Sequence, residues 1–268
     1  MASPIEAPGH ESMTYPSIAR VNDFWLEGFN HNASDQEYAE HIELCAPHIP
    51  YLVRASRQLT GRMVRYLVDQ GVRQFIDLGS GIPTRRHVHE VAQERDAECT
   101  VVYVDFDPSV VADARDVLAG NDRVAYLAAD IRDPESIFGA PERARLIDLS
   151  KPVGLLAIET LLYVSDSDNP AALIRSFVDR LAPGSYLGMT HCSENAELRS
   201  GLEIFSRMFG EPPDVALRGR EEFEGFFAGL DIVEPGVVPV TLWNPLTEED
   251  VGRNAHLAHM FAGMGRKS

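Results

Sequence analysis

The chain has 268 residues, 44% hydrophobic and 24% charged, a globular composition with enough apolar residues for one sizeable core. Its 24 Lys and Arg stand against 41 Asp and Glu, a formal charge of −17. Such a surplus repels phosphate backbones and anionic lipid, so neither nucleic acid nor a membrane is an expected partner.

Three cysteines, Cys45, Cys99 and Cys192, form no C-x-x-C pair and read as reduced thiols of a cytoplasmic protein. The start, "MASPIEAPGHES", has neither the basic residues nor the apolar run of a secretory signal. No apolar stretch approaches the ~20 residues of a membrane span. Residues 1–14, rich in Pro, Ala, Gly and Ser, are expected to be a disordered tail.

Residues 15–70 read as a helical section, an N-terminal lid. Ser17 is a candidate cap for "SIARVNDFWLEG", which stops near Gly28. In "SDQEYAEHIELCA", Ser34 with Glu37 three residues on predicts a capping box. "YLVRASRQLTGRMVRYLVDQG" carries Leu52, Leu59, Met63, Val64 and Leu67 at helical spacing and ends at Gly71.

From 71 to 268 a second rhythm sets in. "QFIDLG", "TVVYVDFD", "RVAYLAAD", "PVGLLAIETL" and "SYLGMTHC" read as buried strands. "HVHEVAQER", "PSVVADARDVLAG" (with Pro108 at its first turn) and "NPAALIRSFVDRLAPG" read as helices between them. This alternation predicts an α/β fold, a doubly wound parallel sheet with helices on both faces. "FEGFFAGLDIVEPGVVPVTLWNP" adds a helix and two strands about a Pro-Gly turn, expected as an antiparallel hairpin at the sheet edge. His256 and His259 are expected on a solvated helix end, too few for a metal site.

In such sheets ligands bind beyond the carboxyl ends of the strands. The first of these ends reads "FIDLGSGIPT" over 75–84. It lacks the third glycine of the dinucleotide fingerprint, and no Gly-Lys-Ser/Thr follows to make a phosphate loop. Asp77 stands two residues before the first glycine. An anionic pyrophosphate there would lose about 4 kcal/mol per unit charge at ~4 Å and an effective dielectric near 20. A cation gains instead, and S-adenosylmethionine carries a sulfonium and an ammonium and no phosphate. Asp105 closes the second strand, where a carboxylate can accept from both ribose hydroxyls. Asp130, with the Ile131 backbone, suits an adenine amino edge. Glu159 ends the fourth strand, an apolar run that would rarely end in Glu without a partner.

The segments "PSIARVNDFWLEG", "RMVRYLVDQGVRQFIDLGSGIPT", "VHEVAQ", "VVYVDFDPSVV", "AADIRDPE", "PVGLLAIETLLYVSD" and "LAPGSYLGMTH" resemble the actinobacterial S-adenosyl methyltransferase family, formerly a domain of unknown function. The resemblance covers about residues 15–245. It implies a Rossmann-like class I methyltransferase sheet of order 3-2-1-4-5-7-6, last strand antiparallel, with N-terminal helices folding over the cofactor. It implies Asp77, Gly79 and Gly81 as the cofactor loop, Asp105 on the ribose, and Asp130 with Ile131 on adenine. Ser80 and Phe106 are counted with that set, as is Glu159. Arg20 falls on a family arginine and is expected to help close the lid.

The family usually runs Leu-Gly-Gly-Lys-Asp-Asn where this chain has Leu26-Glu27-Gly28-Phe29-Asn30-His31, and it usually has asparagine where this chain has Ser56 and His87. These departures gather at the lid and mouth. His31, and beside it His87, are candidate bases or hydrogen-bond donors near the sulfonium. Glu159 is a candidate for a cationic substrate nitrogen, and Tyr163 for the pocket lining. Phe24, Trp25 and Phe29 are candidate pocket walls, and Arg199, Arg207 and Met208 of the long 193–223 connection are expected in the substrate wall. His191 and Cys192, adjacent on a strand, point to opposite faces and make no nucleophile pair.

Three functions stay open. The first is a methyltransferase acting on a small molecule, in specialised metabolism. The second is cyclisation of the cofactor's own amino-acid arm to azetidine-2-carboxylate plus methylthioadenosine. The third is a cofactor-binding protein without turnover. A homodimer whose helices close over a neighbour's site is also compatible with the sequence.

Overall fold

The computed structural model describes residues 16–83, 86–251 and 258–268; the tail expected over 1–14 lies outside them. Three helices lead: α1 (Ile18–Trp25), α2 (Ala33–Cys45) and α3 (Ile49–Asp69). Next come β1 (Gln74–Leu78), α4 (Val88–Arg95), β2 (Thr100–Asp105), α5 (Pro108–Val117) and β3 (Val124–Ala128). Two short helices, α6 (Pro134–Gly139) and α7 (Pro141–Leu146), precede β4 (Gly154–Ile158). Then follow α8 (Pro170–Asp179), β5 (Tyr186–Cys192), α9 (Ala196–Phe209) and α10 (Arg220–Gly225). The last elements are β6 (Asp231–Ile232), β7 (Val238–Pro239), α11 (Glu248–Val251) and β8 (Met260–Arg266).

The sheet order is β3-β2-β1-β4-β5-β8-β6, with β7 also on β8. β1 to β5 run parallel, and β8 is antiparallel to β5. Side chains alternate between two cores, as a strand's period of two requires. Phe75, Val101, Tyr103 and Leu156 face the core that holds α3. Ile76, Val102, Leu155 and Met189 face the opposite core.

β6 and β7 do not form the expected hairpin. Both pair with β8 in succession along one edge, Ile232 opposite Gly265 and Val238 opposite Ala262. They are two pieces of one interrupted strand. Between them Val233 N–H reaches Met264 O at 2.9 Å and Gly236 N–H reaches Val233 O at 2.9 Å. Counted as one strand, they give the 3-2-1-4-5-7-6 order. The C-terminal segment is likewise not a helix end. His259 leads into β8, and its Nε2 lies 3.1 Å from Glu197 Oε2; His256 lies outside the described residues.

The N-terminal helices divide in two. Leu59, Met63 and Leu67 of α3 are fully buried in the sheet's own core, whereas Val21, Trp25 and Ala39 of α1 and α2 join Val53 in a separate small cluster. The cap of α2 is Asn32, not Ser34. Asn32 Oδ1 accepts from Ser34 and Asp35 N–H at 2.8 and 3.1 Å, and Asn32 N–H donates to Asp35 Oδ2 at 2.9 Å. The buried Asp35 carboxylate sets this frame, because it also collects Ser17 N–H and Arg20 Nε, each at 2.9 Å.

Candidate functional site

Past the carboxyl ends of β1, β2 and β4 lies a groove of about 480 Å³, within the usual range for small-molecule sites. Its floor is the turn after β1. Gly79 and Gly81 both have φ of +62°, a region costly for residues with a Cβ. A Cβ at Gly79 would lie 2.5 Å from Thr160 Cγ2. Thr160 Oγ1 in turn donates to Leu78 O at 2.5 Å, so the ends of β1 and β4 are fastened together there. Ser80 Oγ donates to Tyr126 Oη at 2.9 Å, and Tyr126 Oη donates to Gly81 O at 2.5 Å.

The carboxylates differ in their surroundings. Asp105 accepts from Gly81 N–H at 3.0 Å and from Asp107 N–H at 3.1 Å, one on each oxygen. Asp77 lines the groove without a hydrogen bond to any described residue. Burial pushes its pKa up to about 7, with Arg57 pulling against the shift and Asp105 adding to it. Asp130 is held by Arg132, whose Nε lies 3.0 Å from both oxygens. Asp130, Ile131 and Phe106 line the groove, Phe106 at 73% exposure and Ile131 buried.

Glu159 sits at φ +61°, a left-handed conformation that costs a non-glycine residue on the order of 1–3 kcal/mol and persists where the surroundings over-determine it. Its N–H is held by Thr190 Oγ1 at 2.9 Å. Burial raises its pKa, opposed first by the Ser56 hydroxyl and then by Arg57. No motif or strand end marks Arg57 in the sequence. Its guanidinium is the cation nearest in effect to both Asp77 and Glu159. A signal for it existed: Val53, Ser56, Arg57 and Thr60 share one helical face, and all four line the groove.

Other candidates stand outside the groove lining. Arg20 Nη1 donates to Ser109 Oγ at 2.9 Å while Nε holds Asp35, tying α1 to α2 and α5. His31 Nδ1 lies 3.1 Å from Asp23 Oδ2, and its ring meets Phe24 edge-on at 5.1 Å. Of that pair it is Asp23 that lines the groove. His87 is fully buried at the start of α4, its ring 4.6 Å from that of Tyr103, and burial holds its pKa well below the ordinary histidine value. Phe29 is 83% exposed.

A second cavity of about 110 Å³ adjoins the groove. Ile18, Asn22, Val53, Glu159 and Tyr163 line both, so Glu159 and Tyr163 stand at the junction. Trp25 lines the second cavity, and α9 walls it through Leu198, Leu202 and Phe205. The expected wall residues Arg199, Arg207 and Met208 are on the other face of α9. Arg199 pairs with Glu194 and Arg207 with Glu203, and Met208 is exposed. Their charge or length drew notice in the sequence, while helical periodicity turned them outward. Among the described residues no His, Cys, Asp or Glu cluster is placed to hold a metal ion, and no helix is long and apolar enough to cross a membrane.

Comparison with known proteins gives a consistent picture. Residues 7–268 match a family model described as S-adenosyl methyltransferase. A candidate methyltransferase from Thermobifida fusca YX is 34% identical with a TM-score of 0.88, covering 96% of this chain and 97% of that one. A DUF574-family protein from Streptomyces avermitilis MA-4680 is also 34% identical, with a TM-score of 0.87, covering 95% of this chain and 98% of that one. A mitomycin 7-O-methyltransferase shares 14% identity and a TM-score of 0.51 over 82% of this chain and 57% of that one, a likeness of fold alone. No curated protein matches the chain.

Proposed function

The chain belongs to the S-adenosyl methyltransferase family, and from that premise we propose that it methylates a small molecule in specialised metabolism, in the cytoplasm. The observation that carries this reading is the second cavity meeting the cofactor groove at Glu159 and Tyr163. A cavity of about 110 Å³ has room for a small acceptor.

The groove fits S-adenosylmethionine. Its floor is the Gly79–Gly81 backbone, packed so closely on Thr160 that a Cβ at Gly79 would collide with it, and its mouth carries a buried carboxyl at Asp77 that no described residue hydrogen-bonds and only the Arg57 charge offsets. When bound, the cofactor supplies an electrophilic methyl group on a positively charged sulfur. Asp105 and the Gly79–Gly81 backbone hold the ribose. Asp130, Ile131 and Phe106 hold the adenine, and Asp77 and Glu159 face the cationic end. Arg20 acts by bracing α1 and α2 as a cover over the groove. Tyr163 guards the passage to the acceptor. The protein's task in methyl transfer is to align nucleophile, methyl and sulfur and to exclude water, and such alignment supplies roughly 7–11 kcal/mol.

Cyclisation of the cofactor alone has no use for a second cavity, and a binding protein has no use for a junction between two. The assay is direct. Purified protein is incubated with S-adenosylmethionine, with and without added acceptors, and the nucleosides are followed by mass spectrometry. S-adenosylhomocysteine formed only with an acceptor is the expected result. Methylthioadenosine without an acceptor would replace this reading with cyclisation, and binding with neither product would replace it with a non-catalytic role.

A further inference from the structure

We propose that the cavity beside Glu159 binds the apolar body of a small amine and that the amine nitrogen is the methyl acceptor. This deepens the methyltransferase reading and rests on it. The cavity is walled by apolar side chains, among them Trp25, Ile42, Val53, Leu198, Phe205 and Val215. A dry apolar cavity of about 150 Å³ accepts benzene, so about 110 Å³ suits one small ring or a short branched chain.

The placement of polar groups selects the amine. Asn22, Glu159 and Tyr163 line both the cavity and the groove, while the rest of the cavity lining is apolar apart from the Cys45 and Cys192 thiols. The hydrogen-bonding and charged side chains are therefore shared with the groove from which a methyl group arrives, and a nucleophile beside them has its apolar body in the cavity. Among the described residues no Lys, Arg or His lines the cavity. A carboxylate or phosphate inside it would lose its hydration without gaining a partner. An ammonium gains one in Glu159, whose backbone N–H is held by Thr190 and whose carboxyl is approached by Ser56 and Arg57 of the groove. The Cys192 thiol, also in the lining, is kept protonated by burial and offers no competing charge. The formal charge of −17 raises the local concentration of cations and lowers that of anions.

The step balances with Glu159 as proton acceptor. The ammonium gives one proton to the Glu159 carboxylate, and the freed nitrogen lone pair forms the N–C bond to the methyl. The C–S bond breaks and its electron pair returns to sulfur. The product leaves as a methylated ammonium, and Glu159 passes its proton to water when the site opens.

Calorimetry on the full chain tests the assignment. S-adenosylhomocysteine is titrated first, and then benzylamine, benzyl alcohol and benzoate are titrated into that complex. Benzylamine is expected to bind at least about tenfold tighter than benzyl alcohol, as a charge-assisted contact warrants, and benzoate not at all. Glu159→Gln is expected to erase the preference for benzylamine while leaving benzyl alcohol within about twofold. Leu202→Trp and, independently, Val215→Phe fill the cavity and are expected to weaken both ligands at least about tenfold. An S-adenosylhomocysteine affinity within about twofold of wild type shows that these variants are folded. Equal binding of benzylamine and benzyl alcohol, binding of benzoate, or undiminished binding in either folded filling variant would overturn the proposal. Absence of benzylamine binding to a chain that binds S-adenosylhomocysteine would overturn it alone. Absence of S-adenosylhomocysteine binding would remove the cofactor reading beneath it.

Discussion

The groove and the cavity beside it are built by opposite means. The groove takes its floor and its carboxylates from strand ends, with faces of α1 and α3 as walls, and it holds most of the charged groups. Asp77 and Asp105 are positioned by a rigid parallel sheet, and the glycine turn is pinned by Thr160. The cavity is assembled from helix faces, with α1, α2 and α9 contributing Trp25, Ile42 and Phe205, and its chemistry is apolar. A site made of strand ends is set by backbone geometry and tolerates little change. A site made of helix side chains can be reshaped one residue at a time, which suits a fixed cofactor and a variable acceptor.

That contrast can be broken at several points. Asp105→Ala is expected to have the largest effect, a loss of at least about a hundredfold in cofactor affinity by calorimetry, because the proposed ribose acceptor and the anchor of Gly81 N–H go together. A change below about threefold would remove the ribose assignment. Gly79→Val follows. The positive φ and the 2.5 Å approach to Thr160 predict about 2–4 kcal/mol of destabilisation by urea unfolding, and a neutral result would show that the turn is not rigid.

Asp77→Asn sharpens the electrostatic half of the comparison. A carboxyl raised from 3.8 to about 7 binds its proton more tightly in the folded chain. Its contribution is therefore intact below about pH 4 and is lost as pH rises to about 7. Above that pH the ionised, buried group costs the free protein on the order of 2–4 kcal/mol. The variant is expected to be more stable than wild type at pH 8 and nearly equal to it at pH 4, read by thermal unfolding at the two pH values. Cofactor affinity of the wild type should rise with pH toward 7, by up to about tenfold per unit, and that slope should vanish in the variant. A variant no more stable at pH 8 would show that Asp77 is already ionised and satisfied. The smallest effect belongs to Arg207→Ala on the outer face of α9, expected within about 0.5 kcal/mol in stability and without effect on turnover. A large loss there would mean that α9 meets the acceptor with its other face.

The sequence made the groove legible and the cavity much less so. Buried parallel strands read as unbroken apolar runs, and each acid that ends one marks the sheet's carboxyl edge. The cavity depends on which face of α9 turns inward, and the charged Arg199 and Arg207 drew attention to the outer one. Arg57 stands with Ser56 and Thr60 on the polar side of a helix whose apolar positions, Leu52, Leu59 and Met63, are the ones the periodicity marks. β8 escaped for a different reason: "MFAGMGR" looks too glycine-rich for a strand. A Cβ at Gly263 would lie 2.9 Å from Val237 Cγ2, and one at Gly265 would lie 2.9 Å from Leu230 Cβ. Packing requires the residue type that propensity counts against it. The cap of α2 lies at Asn32 rather than Ser34 because Asn32 and Asp35 form a capping box of their own, one that Ser17 and Arg20 of the preceding segment reinforce through the Asp35 carboxylate.

β8 is an inner strand made from residues 260–266, lying between β5 and the broken edge strand, with Tyr186 opposite Arg266. During translation the ribosome releases that segment after β1 to β7. Until it emerges, β5 keeps an open edge and β6 and β7 have nothing to pair with. The nascent chain therefore passes through a stage with an exposed strand edge, a state that invites chaperone capture or pairing with another chain.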